Sequence, residues 1–154
     1  GGDFSHRWTQ TREALDVMKK LWKEDEAEHH GKYYDFPPVR SYPKPAQKPY
    51  PPILIGGAAK NVLQRVVDHA DGWLPNRVTP SVLKNSRKQL DTMAREAGRD
   101  PNSITITVYG QEPDPGLFKA LFEAGADRVV VRPEFVETEI EMASQLERIA
   151  KILM

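Results

Sequence analysis

Two adjacent glycines, Gly56 and Gly57, follow the apolar run Pro52-Ile53-Leu54-Ile55 and precede a segment with helical periodicity. At a strand-to-helix junction, residues without a Cβ leave bare amides and a helix N-terminus open to an anion, so the pair suits a phosphate. A tight turn with no ligand accounts for the same two residues, because the motif is short. Asn76 and Arg77 follow a second apolar run, Gly72-Trp73-Leu74-Pro75, and Arg132 ends a third, Arg128-Val129-Val130-Val131. The Arg132 guanidinium suits a phosphate or a carboxylate, and equally a surface ion pair with Glu134 or Glu137.

Other reactive side chains carry less. His29 and His30 stand beside Glu26 and Glu28, but neighbours on an extended chain face opposite ways and do not share one metal, so no metal site is expected. His69 falls near a predicted helix C-terminus, where a cationic imidazole complements the dipole, and His6 lies close to the chain start. Ser41, Ser81, Ser86, Ser103 and Ser144 lack a Gly-x-Ser-x-Gly elbow. The aromatic residues Trp22 and Trp73 sit inside apolar patterns and Tyr33 and Tyr34 in a predicted hairpin, which makes them packing residues; Tyr50 alone is placed to border a pocket.

The chain has 154 residues, 22 Lys+Arg against 22 Asp+Glu, and no cysteine. The balanced charge offers no global field to gather nucleic acid or anionic lipid. Without cysteine there is no disulfide, thiolate metal site, Cys nucleophile or iron–sulfur cluster, so redox chemistry needs a bound cofactor. The apolar runs are far shorter than the ~18 residues of a membrane span and no signal-peptide pattern opens the sequence, so a cytoplasmic location is expected. Beginning at Gly1-Gly2-Asp3 rather than methionine, the sequence is expected to be a processed product or a fragment.

These residues need elements to position them. Residues 7–22 predict an amphipathic helix with Ala14, Leu15, Met18, Leu21 and Trp22 inward. His30-Gly31-Lys32 predicts a turn between two short extended pieces, the second at Tyr33-Tyr34. From Pro37 to Pro52 seven of sixteen residues are proline, which excludes a helix or a central strand and predicts a semi-rigid connection. Strands follow at 52–55, 72–75, 104–109 and 128–132, each before a helical pattern. Thr79-Pro80 starts one helix, Gly98 and Gly125 end two, and the last is expected to turn Ile140, Ala143, Leu146, Ile149, Ala150 and Leu153 to a core. Four strand–helix units predict an α/β chain with a parallel sheet and right-handed crossovers. A closed eight-stranded barrel takes ~250 residues, so four units make half of one. Ala70-Asp71-Gly72 and Ala126-Asp127-Arg128 form a faint internal echo.

The order of signatures resembles the C-terminal half of the luciferase-like monooxygenase family. It runs from Ala14-Leu15 and Leu21-Trp22, through His30-Gly31-Lys32-Tyr33-Tyr34-Asp35-Phe36 and Tyr42-Pro43-Lys44-Pro45, to Pro49-Tyr50-Pro51-Pro52-Ile53-Leu54-Ile55-Gly56-Gly57. It continues through Asp71-Gly72-Trp73-Leu74-Pro75, Ala97-Gly98-Arg99-Asp100-Pro101 and Ile104-Thr105-Ile106-Thr107-Val108. The resemblance implies a (β/α)8 TIM barrel, of which this chain supplies strands five to eight as one partial domain over 1–154: residues 1–52 as helix, hairpin and connection, and 53–154 as four βα units. It implies FMN or the deazaflavin coenzyme F420 as cofactor and a small organic substrate. Gly56, Gly57 and Ala58 are implied to hold the cofactor phosphate by their backbone; Ile55 beside them and Asn76, at the carboxyl rim where barrels place ligands, are expected to bind the cofactor too, and Arg132, at the same rim, the substrate. The catalytic histidine or acid of the family belongs to the strands absent here, so no catalytic residue is assigned. A competing expectation is a non-catalytic half-barrel or phosphate-binding module without a complete pocket. Two raw sheet edges predict self-association.

Overall fold

The structure, a computed structural model, describes residues 4–153; Gly1, Gly2, Asp3 and Met154 lie outside the described residues. The chain divides into two compact units, residues 1–52 and 53–154. In the first, helix α1 (Arg7–Lys23) precedes an antiparallel hairpin of β1 (Ala27–His30) and β2 (Asp35–Val39). Val17 is the buried centre of the helix's inward face, while Met18, placed inward by periodicity, is 38% exposed. The hairpin turn occupies 31–34, so Tyr33 and Tyr34 lie in the turn rather than at a strand end. Pro37 and Pro38 fall inside β2, which pairs on one side only among the described residues and needs no amides on its outer edge.

Glu13 on α1 secures that turn. Its Oε1 accepts from the amides of Tyr33 and Tyr34 at 2.9 and 2.8 Å, with His29 Nε2 at 3.3 Å. Burial pushes the carboxyl up, but the two amides and the His29 ring outweigh it and hold Glu13 below its usual range. Lys44 anchors the proline-rich segment: its Nζ donates to the carbonyls of Leu21 (2.8 Å) and Glu24, where the end of α1 is electronegative.

In the second unit β3 (Leu54–Gly56), β4 (Gly72–Leu74), β5 (Thr105–Gln111) and β6 (Arg128–Val131) form a parallel sheet in the order β3-β4-β5-β6. Helices α2 (Val62–His69), α3 (Pro80–Glu96) and α4 (Pro115–Glu123) make the crossovers, and α5 (Glu139–Leu153) follows β6. Strand order equals chain order, as successive crossovers of one hand require. The core joins one face of the sheet to the helices through Val66, Leu83, Leu90, Ala94, Ile106, Val108 and Leu121, all at 0% exposure. Helix limits follow their signals: Thr79 Oγ1 accepts from the Val82 amide with Pro80 in the first turn, and Gly98 and Gly125, at φ +68° and +104°, end α3 and α4. No helix among the described residues is long and apolar enough to cross a membrane.

The amino ends of the strands are clipped by side chains. Asp71 Oδ2 accepts from the Ile53 amide at 2.8 Å, and Asp127 Oδ2 from the Ile106 amide at 2.7 Å. Each aspartate precedes a strand and holds the start of the strand beside it, which gives the Ala-Asp echo its physical meaning. Arg99 Nη1 donates to the carbonyls of Ala70 (2.7 Å) and Val67 (3.0 Å), closing the C-terminus of α2.

Helix α5 departs from expectation. Ile140 is 83% exposed and Leu146 51%, whereas the buried residues are Gln145 and Ile149. Its apolar positions spread over more than one face, and Gln145 and Ile149 are its buried positions.

Candidate functional site

Every residue singled out near the four strands lies at the carboxyl ends of the sheet, where open and closed α/β sheets place ligands. The glycine turn is built differently from the expected junction. Strand β3 runs through Gly56, and α2 begins at Val62, so residues 58–61 separate the glycines from the helix. The pull of the helix dipole fades within a turn, so an anion here relies on the loop rather than on the helix N-terminus. Gly57 has φ +102°, a conformation that a side chain strains, and no heavy atom lies within 4 Å of where its Cβ would stand. From the adjacent strand the Leu74 carbonyl accepts the Gly57 amide in a long 3.4 Å bond. Buried Trp73 donates its indole Nε1 to the Gly57 carbonyl at 3.0 Å. Ile55 packs on the core with its side chain and offers the rim only its backbone, and Ala58 is exposed.

Asn76 and Arg77 prolong β4 alongside β5. Asn76 bridges to Tyr109, the Arg77 amide donates to the Tyr109 carbonyl at 3.0 Å, and the Arg77 Nε donates to Gly110 O at 3.1 Å. A Cβ on Gly110 would stand 2.5 Å from Asn76 Oδ1, so this glycine lets the two strand ends close up. Arg77 is the one described non-glycine residue at positive φ (49°). Its strained backbone is held by those bonds and aims the side chain along the rim.

Arg77 and Arg132 meet in a cavity of about 330 Å³ at the ends of β5 and β6, which Gln145 and Arg148 of α5 also line. The Glu134 and Glu137 ion pairs open to Arg132 do not form among the described residues. Ile55, Gly56, Gly57, Ala58 and Asn76 do not line this cavity; β3 and β6 stand three strand spacings apart, about 14 Å across a flat sheet. The rim therefore has two parts, a glycine loop at one edge and an arginine cavity at the other. Spacing gave no hint of Gln145 or Arg148, polar residues one helical turn apart, or of Trp73 beneath the loop. In the other unit His29 packs against Phe36, centroids 6.2 Å apart, while His30 turns outward to Asp35 at 2.7 Å, so the two imidazoles diverge. Tyr50 packs against Trp22, centroids 6.1 Å apart.

The profile of the luciferase-like monooxygenases matches residues 1–111, most of the chain. The chain belongs to the luciferase-like monooxygenase family. Among relatives in that family, an uncharacterised protein of Mycobacterium tuberculosis is 32% identical over 132 residues, covering 85% of this chain and 44% of its own length. An F420-dependent glucose-6-phosphate dehydrogenase of Segniliparus rotundus is 30% identical, with 75% of this chain and 35% of its own length aligned. An FMNH2-dependent dimethylsulfone monooxygenase of Pseudomonas putida is 27% identical, with 69% and 28% aligned. This luciferase-like chain thus spans less than half the length of these relatives. In fold it is similar to the monooxygenase RslO1 of Streptomyces bottropensis, with a TM-score of 0.70 at 15% identity over 98% of this chain and 62% of that one. The neighbours are TIM-barrel enzymes, and the four βα units correspond to half of such a barrel.

Proposed function

We propose that this chain is the C-terminal portion of a cytoplasmic, luciferase-like oxidoreductase that uses coenzyme F420 or FMN on a small organic substrate. The supporting observation is the opening at Gly57, where nothing occupies the space a Cβ would take, at the same carboxyl end of the sheet as Asn76 and Arg132. The cofactor phosphate lies against the backbone amides of the Gly56-Gly57-Ala58 loop, and Ile55 and Asn76 contact the uncharged part of the cofactor. Trp73 fixes the loop from below, so the approach is prepared before the ligand arrives. Such a cofactor, when bound, supplies hydride transfer or, as reduced flavin, oxygen activation, while the protein supplies orientation and electrostatics. Arg132 holds the substrate at the other part of the rim.

Titrating the chain with FMN and with F420, following cofactor fluorescence, tests this reading. Saturable binding of either supports it. No binding of either leaves the chain as a half-barrel without a complete cofactor pocket. Strands β3 and β6 each pair on one side only among the described residues, so a second copy covers these edges in solution. Sedimentation equilibrium at micromolar concentration reads a dimer on this account, and a monomer contradicts the edge pairing.

A further inference from the structure

We infer that the cavity between the ends of β5 and β6 and helix α5 binds a small organic anion bearing a hydroxyl group next to its charge. Three guanidinium groups, Arg77, Arg132 and Arg148, line it. Among the described residues neither Arg132 nor Arg148 has a carboxylate partner, although Glu112 and Glu134 also line the cavity. Arginines converging without such a partner present fork-shaped donors to a carboxylate or phosphate. The second observation is independent. Gln145 is only 8% exposed, lines the same cavity, and its Oε1 is buried with no hydrogen-bond partner. A buried acceptor without a donor is costly, and a ligand hydroxyl beside the anionic group satisfies it. Gln145 and Arg148 are three residues apart on α5, so one helical face presents the hydroxyl acceptor and an anion donor together. A volume of about 330 Å³ suits a ligand of a few carbons.

The inference rests on the proposed oxidoreductase only in calling this ligand the substrate; the site itself stands without a cofactor. The test is a titration of the 15N-labelled chain, no cofactor present, with glycerol 3-phosphate, glycerate and inorganic phosphate, followed by NMR. The hydroxylated anions are expected to bind saturably and to shift the Gln145 side-chain amide. Glycerol 3-phosphate binding tighter than glycerate identifies a phosphate ligand, and the reverse order a carboxylate. Arg132→Gln and Arg148→Gln, both exposed and tolerant of change, each weaken binding about tenfold. Gln145→Met weakens the hydroxylated anions and leaves inorganic phosphate unchanged. No saturable shift with any of the three, or wild-type affinity in both arginine variants, overturns the inference. Anions binding while FMN and F420 do not removes the oxidoreductase reading and keeps the site; cofactors binding while anions do not does the opposite.

Discussion

Gly72 and Gly57 lie at opposite ends of the β3–β4 pair and serve opposite purposes. A Cβ on Gly72 would come within 2.6 Å of the Thr105 carbonyl oxygen and of Leu54 Cδ2, so the amino end of the sheet has no room for a methyl group. A Cβ on Gly57 would meet nothing within 4 Å. Around Gly72 the polar groups are paired: Asp71 and Asp127 take strand amides, and Arg99 takes the last carbonyls of α2. Around the carboxyl ends stand an open loop, a strained Arg77, two arginines without carboxylates and a buried orphan oxygen. Closed and satisfied ends hold a fold together; ends left open and unsatisfied are available to a ligand.

Overpacking the closed end is expected to have the largest effect. Gly72→Val forces side-chain and backbone atoms apart in the middle of the sheet, and a loss of about 3 kcal/mol or more is expected, read as collapse of the urea midpoint. If Gly72→Val unfolds at the wild-type midpoint, the amino end is not the tight region described. Next comes Asp127→Ala, which strips the Ile106 amide of its acceptor and lowers stability by about 1–2 kcal/mol. Asp127→Asn keeps an oxygen there and recovers most of the loss; equal losses in the two variants would mean that charge, not the hydrogen bond, matters.

The first unit supplies the smallest effect and a control outside the sheet. The Glu13 carboxyl is held below its usual range by the turn amides. A group whose folded pKa is depressed contributes stability above its unfolded pKa, near 4.5, and loses it as pH falls through the folded value. The wild-type hairpin should therefore loosen below about pH 4.5, followed by the NMR signals of Tyr33 and Tyr34. Glu13→Gln should flatten that dependence, and an unchanged profile in the variant would remove Glu13 as its source.

The sequence made the four βα units and their limits legible because local chemistry sets them: Thr79-Pro80 starts α3, and Gly98 and Gly125 stop helices where φ turns positive. The inward face of α5 was not legible. Periodic apolar residues show that a helix has an apolar stripe, not that anything covers it, and here Ile140 and Leu146 face outward while Gln145 is buried. The β3–α2 junction was misplaced for a similar reason, since Gly56 pairs with Leu74 as a strand residue and Gly57 makes the turn. Of the candidate site, Arg77 and Arg132 fall together in one cavity, but Gln145 and Arg148 join them only through the tertiary placement of α5. Asp71 and Asp127 act across strand neighbours far apart in sequence, and the repeated Ala-Asp pair was the only trace they left.

The central claim is that the carboxyl end binds a cofactor while the amino end holds the fold, and one paired measurement tests it. Gly56→Val adds bulk beside the loop, where a Cβ makes only ordinary contact, 3.5 Å from the Leu74 carbonyl. It should be measured beside Asp127→Ala for both urea stability and F420 and FMN fluorescence titration. The account predicts that Gly56→Val loses cofactor binding with stability within about 0.5 kcal/mol of wild type. Asp127→Ala should lose stability and, while folded, bind as wild type does. Gly56→Val binding the cofactor with unchanged affinity, or neither cofactor binding the wild-type chain, would contradict it.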